Sequence, residues 1–254
     1  MSIKRFYGLK GPDKIDRRDF QLSFSRKLTL PASYSIRTNC PPIMDQGQLS
    51  SCVANACVGA MEFNEEGTSN YLELSRLMLY YLARVVDGDV HEDDGTNLRT
   101  AISCLANQGT CEEYLWPYIT DDFADEPTPA CYSDALNRRI LAYHRIVSMF
   151  DMKACLASGK PFVLGIPVYE SFEDDNVAKT GTVPMPSFVE EIFGYHAVYC
   201  CGFDDRTQRF TCANSWGISW GDKGFFTLPY AYIEDYVVPE GAGDCWTITS
   251  EMIP

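Results

Sequence analysis

The chain has 254 residues, 46% hydrophobic and 22% charged, enough for one large domain or for two lobes around a shared cleft. It has no run of eighteen apolar residues, and its start, Met1 to Gly8, lacks the apolar core of a secretory signal; no transmembrane helix is expected, and a cytoplasmic or particle-packaged location is expected over classical secretion. A net charge of −14 argues against nucleic acid as a partner, because phosphates repel an acidic surface.

Residues 1–29 carry eight basic and three acidic side chains, +5, which leaves −19 for the rest of the chain. A basic segment has a motive to dock on its own acidic body. Phe6 and Tyr7 are aromatic anchors for such docking, and Lys4, Arg5, Arg17 and Arg18 are its pairing groups. An inhibitory pro-segment, a solvated arm and a structural strap are all consistent with this composition.

The body begins near Leu30-Pro31. After the extended Pro41-Pro42, a helical pattern sets in: Val53, Ala56, Cys57, Ala60 and Met61 share one stripe, with Ser50 and Ser51 as front caps and Cys52 in the first turn. A second helix reads from Leu74 to Val85. A third follows Thr96 as its cap through Leu105, with Gly109 beyond its end, and a fourth spans Ser148 to Leu156, closed by Gly159. The second half turns to strands at 162–166, 197–201, 209–212, 224–227 and 245–248. The eleven cysteines show no CxxC pair or zinc-ligand spacing; five disulfides and one free thiol fit the count, but without a signal peptide reduced thiols are expected, with Cys200 and Cys201 as packing residues. Cys200 and Cys201 are expected on opposite faces of one strand.

Three segments carry chemistry. In Asp45-Gln46-Gly47-Gln48-Leu49-Ser50-Ser51-Cys52-Val53-Ala54, a thiol at a helix start sits near the positive end of the dipole, which favours thiolate. Gln46 supplies an amide donor for an oxyanion. A cysteine in an apolar helix is more often only a small buried hydrophobe. Of the three histidines, His91 lies in an acidic loop and His144 suits a structural role. His196 follows Gly194-Tyr195 and opens an apolar strand, the setting of a rigidly held base. In Asn214-Ser215-Trp216-Gly217-Ile218-Ser219-Trp220-Gly221, a neutral Asn can accept an imidazole N–H and fix its tautomer, under aromatic cover.

Taken together, these segments resemble the papain-like cysteine peptidases over about Leu30 to Asp235, in the compact form of a microbial and large-virus branch. The resemblance implies an α+β fold of two lobes: a helical lobe over about 40–140, a β-barrel-like lobe over about 141–254, and an active-site cleft between them. It makes Cys52 the nucleophile, His196 the base and later acid, Asn214 the residue that orients His196, and Trp216 the shield over that contact. Gln46 and the Cys52 N–H form the oxyanion site. Gly95 and Thr96 stand where substrate backbone is bound, Gly95 as the first of a usual glycine pair and Thr96 in place of the second; Leu98 and Tyr195 are pocket candidates. Leu49 and Asp93 stand near the places of a usual disulfide, which is therefore absent. The implied reaction is hydrolysis of protein or peptide substrates through a thioester, requiring no metal or organic cofactor. A silent papain-fold scaffold and another Cys–His acyl-transfer enzyme are the rival readings.

Overall fold

The computed structural model describes residues 6–66, 72–238 and 244–249, so the expected pairing of Lys4 and Arg5 lies outside the described residues. The first half supplies helices α1 (Cys52–Glu66), α2 (Arg76–Asp87), α3 (Leu98–Asn107) and α4 (Pro129–Ala135). Their ends follow local chemistry. The Ser75 hydroxyl accepts the Met78 N–H at 3.1 Å to start α2. The third helix departs from expectation: Asn97 is its cap, and the Thr96 hydroxyl instead donates to Asp87 at 2.8 Å. Helix α1 is buried on every side rather than along one stripe, because it lies between the sheet and the other helices; every residue from Cys52 to Phe63 is buried. Its small residues permit this, and a side chain at Gly59 would meet the Tyr199 ring.

The second half builds an antiparallel sheet from β2 (Ala142–Arg145), β3 (Phe162–Tyr169), β4 (Ile192–Asp204), β5 (Arg209–Ala213), β6 (Phe225–Pro229) and β7 (Cys245–Thr249), in the order β2-β7-β3-β4-β5-β6. Strand β1 (Ser33–Ser35) adds to β4 from outside that path. Helices α5 (Met149–Ala157, capped by Ser148), α6 (Asp175–Thr180) and α7 (Tyr230–Tyr236) connect the strands. Strand β4, thirteen residues long, pairs with β1, β3 and β5 and packs on α1, which brings His196 toward the start of that helix. Cys200 lies 2.9 Å from Cys212 across β5, sulfur to sulfur, while Cys201 turns to the Thr211 carbonyl. All eleven cysteines are free thiols.

The fold is the expected α+β arrangement of a helical lobe and a sheet lobe, but the β-barrel-like lobe is not formed. The sheet is open, with β2 and β6 at opposite ends and unpaired with each other. Both edges are already occupied. Along β2, the Leu22 N–H donates to Arg145 O at 2.9 Å and the Arg145 N–H to Phe20 O at 2.8 Å. Along β6, the Thr227 N–H donates to Gly181 O at 2.7 Å and the Val183 N–H to Thr227 O at 3.1 Å. Closing a barrel requires those backbone groups to pair strand to strand.

Candidate functional site

Cys52 is the first residue of α1, and Gln46 lies on the turn that leads into it. Leu49 N–H donates back to Gln46 O at 3.3 Å to close that turn. Gln46 is fully buried and its amide is oriented from both ends. Its Oε1 accepts the Ser215 hydroxyl at 2.7 Å; its Nε2 donates to Leu49 O at 2.9 Å and to Phe6 O at 3.2 Å. From the sheet lobe, His196 Nε2 meets Asn214 Oδ1 at 2.8 Å. A carbonyl oxygen only accepts, so Nε2 carries the proton and Nδ1 is the basic nitrogen of the neutral ring. The Ser215 N–H holds the same Oδ1 at 2.8 Å, fixing the amide. The Trp216 ring stacks on His196 at 4.7 Å between centroids, covering this contact.

The structure therefore gathers Gln46, Cys52, His196, Asn214 and Trp216 into one buried cluster. Of the remaining residues named from sequence, Gly95, Thr96 and Tyr195 line the chain's own N-terminal segment. Gly8 O accepts the Thr96 N–H at 2.8 Å, and the Lys10 N–H donates to Thr96 O at 3.1 Å. The Leu9 N–H donates to Tyr195 O at 3.2 Å. The Gly95 N–H turns away to the Tyr80 hydroxyl at 3.2 Å, so the backbone of Thr96, not of Gly95, makes these contacts. Leu98 opens α3 and is buried in the core.

Residues 6–10 thus run through the cleft, and the Gly8 N–H points at Cys52 Sγ, 3.3 Å away. The approach requires glycine. A Cβ on Gly8 would sit 1.8 Å from Ser50 O, and one on Gly95, whose φ is +76°, would sit 2.0 Å from Gly8 O. Tyr7 lies edge-on to His196, its ring centroid 6.3 Å away, and its hydroxyl donates to Glu173. Leu9 is buried against Gly165. Burial pushes the Cys52 thiol up to about 11, although the N–H groups of Ala197, Gly8, Val53 and Leu9 pull it down.

Residues 11–29 continue across the body, and the charge pattern that binds them differs from a simple basic arm on an acidic surface. Arg18 pairs with Asp16 of its own segment. Lys10 pairs with Asp87 and Asp89, and Arg26 with Asp151. In the opposite sense, segment acids meet body arginines: Asp13 and Asp19 contact Arg99, and Asp19 contacts Arg145. A second carboxyl, Asp244, accepts the Asp13 N–H at 3.4 Å. These contacts were not legible in sequence, beyond the expectation that Phe6 and Tyr7 anchor the segment. Where the resemblance places a disulfide, the Asp93 carboxylate instead accepts the Ser50 N–H at 3.0 Å and the Tyr80 hydroxyl at 2.5 Å, tying the same two loops without sulfur.

The profile of the papain family cysteine proteases matches residues 30–237. This chain belongs to the papain family of cysteine proteases. An uncharacterised peptidase C1-like protein of Acanthamoeba polyphaga mimivirus is 36% identical over 222 residues, 83% of this chain and 70% of its own length. Chymopapain of Carica papaya is 25% identical over 228 residues, which span 60% of that protein. The crystal structure of xylellain, a cysteine protease from Xylella fastidiosa, superposes with a TM-score of 0.87 at 33% identity, covering 99% of this chain and all of that one. The likeness to xylellain therefore takes in the residues before 30. The mimivirus and Xylella relatives place the chain with microbial and viral papain-family members, and the papain-family cysteine-peptidase mechanism comes with family membership.

Proposed function

We propose that the protein is a cysteine endopeptidase made in a covered form, with Cys52 as nucleophile, His196 as base and acid, and Asn214 as the residue that orients His196. The observation that carries this reading is the 2.8 Å contact of His196 Nε2 with Asn214 beside a cysteine at a helix start. Once the cleft is vacant, Nδ1 takes the Cys52 proton and the thiolate attacks the substrate carbonyl carbon. The oxyanion is held by Gln46 Nε2 and the Cys52 N–H. The C–N bond breaks as His196 returns the proton to the leaving amine, and water then hydrolyses the thioester. Substrates are polypeptides read in extended form along Thr96 and Tyr195. The pocket filled by Leu9 suits an aliphatic side chain in the substrate. The free thiols and the carboxylate at Asp93 favour a reducing compartment, and among the described residues no helix is long and apolar enough to cross a membrane.

Residues 6–10 act as the cover in this reading. They resist cleavage because the group facing Sγ is an N–H donor, whereas the carbonyl near Gln46 belongs to Phe6, two residues away. The test is labelling with a peptide bearing a thiol-trapping electrophile, after the cleft is opened by the Gly8→Ala substitution. A single adduct on Cys52 is expected; an unlabelled Cys52, or labelling without peptide hydrolysis, would favour a silent scaffold. Gln46→Ala is expected to lower kcat about a hundredfold, the cost of one oxyanion donor. Asn214→Ala should also slow turnover but leave measurable activity, because it orients and does not react.

A pH dependence of the strap follows from Asp244. Burial foremost, and then the neighbouring Asp13 carboxyl, raise its pKa to about 7, against the opposing pull of Trp246 and Arg145. A carboxyl raised on docking stabilises the docked form fully only below its ordinary value of about 4, and that contribution is lost as pH rises through 7. Melting temperatures at pH 5 and 8 check this. The drop in wild type should exceed the drop in Asp244→Asn by on the order of 5 °C; equal drops would count against the assignment.

A further inference from the structure

Within the helical lobe, from α2 through α1 to the turn before it, lies a polar chain that the reaction as proposed does not use. The Arg76 guanidinium donates from Nη1 to Asn55 Oδ1 at 3.0 Å. Asn55 Nδ2 donates to Ser51 Oγ at 3.0 Å and to Ser51 O at 3.0 Å. Ser51 Oγ lies 2.5 Å from the Tyr118 hydroxyl, which in turn donates to the Gln46 backbone carbonyl at 3.1 Å. A carbonyl can only accept, so the single Tyr118 proton goes to Gln46, and the Ser51 hydroxyl must then donate to the tyrosine oxygen. Every bond in the chain therefore has one direction, from Arg76 through Asn55, Ser51 and Tyr118 to Gln46. A chain of aligned donors strengthens each of its members.

The tyrosine itself is clamped. Arg76 lies over its ring at 4.1 Å, and Glu113 accepts the Tyr118 N–H at 2.7 Å while contacting Arg76 at 3.8 Å. Its hydroxyl thus bridges two points that hydrolysis needs in fixed relation: the backbone of Gln46, whose side chain supplies one oxyanion donor, and Ser51, the residue before Cys52, whose N–H supplies the other.

We infer that Tyr118 is a positioning residue for the oxyanion site, its hydroxyl setting the separation of the Gln46 and Cys52 donors. The inference rests on the proposed role of Gln46. Removal of the hydroxyl takes from the Gln46 carbonyl its shorter hydrogen bond and leaves it the 3.3 Å bond from the Leu49 N–H. The ground-state substrate carbonyl tolerates a loosened donor, whereas the shorter contacts to an oxyanion do not, so the loss falls on kcat rather than KM.

The experiment compares Tyr118→Phe, Gln46→Ala and the double variant on a fluorogenic peptide, all carrying Gly8→Ala to open the cleft. Phenylalanine keeps the ring beneath Arg76 and deletes one oxygen. Tyr118→Phe should lower kcat about tenfold with KM within about twofold. In the Gln46→Ala background the same change should cost less than about twofold, since the donor it positions is gone. A full tenfold loss in that background, or a loss that follows melting temperature alone, would mean a merely structural tyrosine and overturn the inference. A large effect of Gln46→Ala with none from Tyr118→Phe would remove this inference and leave the oxyanion reading standing. No effect of Gln46→Ala would remove both. Should Tyr118→Phe fail to fold, Ser51→Ala deletes the hydrogen bond that orients the tyrosine. It is then expected to lower kcat about threefold at unchanged KM, and an unchanged kcat would be fatal to the proposal.

Discussion

Cys52→Ala, in the Gly8→Ala background, is expected to reduce peptide turnover by on the order of 10⁵-fold or more, as removal of a nucleophile does in a triad that works as a unit. The fold should survive. Alanine is an excellent helix former and loses only one sulfur from the first residue of α1, where the chain is held by the Asn55-to-Ser51 hydrogen bonds and not by the thiol. Kinetics and a melting curve on the same preparation check both halves. Turnover retained within tenfold of the parent would rule out Cys52 as the nucleophile, whatever the melting temperature. Cys57, Cys200 and Cys245 offer no substitute: they are fully buried, and desolvation raises each thiol well above its ordinary range.

Gly8→Ala is expected to raise the activity of the full-length protein about a hundredfold, the gain that follows if the cleft is vacant in about 1% of molecules. The new methyl carbon would lie 1.8 Å from the Ser50 carbonyl oxygen. That oxygen belongs to the backbone just before the α1 start, so residues 6–10 must leave the cleft. The strap behind them keeps its hold through the Asp13 and Asp19 contacts with Arg99, buried Leu22, and Asp151, which accepts the Phe24 N–H at 2.9 Å. Opening also returns solvent to Cys52, whose thiol burial had pushed up to about 11, so alkylation by iodoacetamide at pH 7 should accelerate in parallel. A chain starting at Leu30 loses the strap as well as the cover. It should gain activity but melt several degrees lower, since burying one leucine alone contributes about 2 kcal/mol. Salt should activate only modestly, because Leu9 burial and backbone hydrogen bonds hold the segment along with the ion pairs. If neither Gly8→Ala nor the truncation raised turnover or alkylation, residues 6–29 would be a strap alone.

The residue types that the structure gathers around the His196–Asn214 contact stood out in the sequence itself. A thiol at a helix start, a histidine just ahead of the apolar run 197–201 and an asparagine at the head of an aromatic loop each carry their chemistry locally, although the structure sets His196 inside β4 and not at its start. Gln46 and Cys52 share one turn and helix start, so their relation needs no distant partner. The helices read from Leu74 to Val85 and from Ser148 to Leu156 and the five strands were legible for the same reason: apolar patterns act over a few positions. What the sequence could not decide depended on partners far along the chain. Whether the sheet closed was settled by Gln21 and Thr182 reaching its two edges, and nothing in the strands themselves encodes those arrivals. The N-terminal segment has net positive charge, yet its acids Asp13 and Asp19 meet Arg99 and Arg145, because burial places individual charges opposite one another while composition reports only their sum. Thr96 rather than Gly95 holds the segment because the Tyr80 hydroxyl claims the Gly95 N–H. Tyr118 lies 72 residues from the carbonyl it binds. A hydrogen bond over that separation leaves no period in the sequence, so it emerges only when packing brings its two ends together.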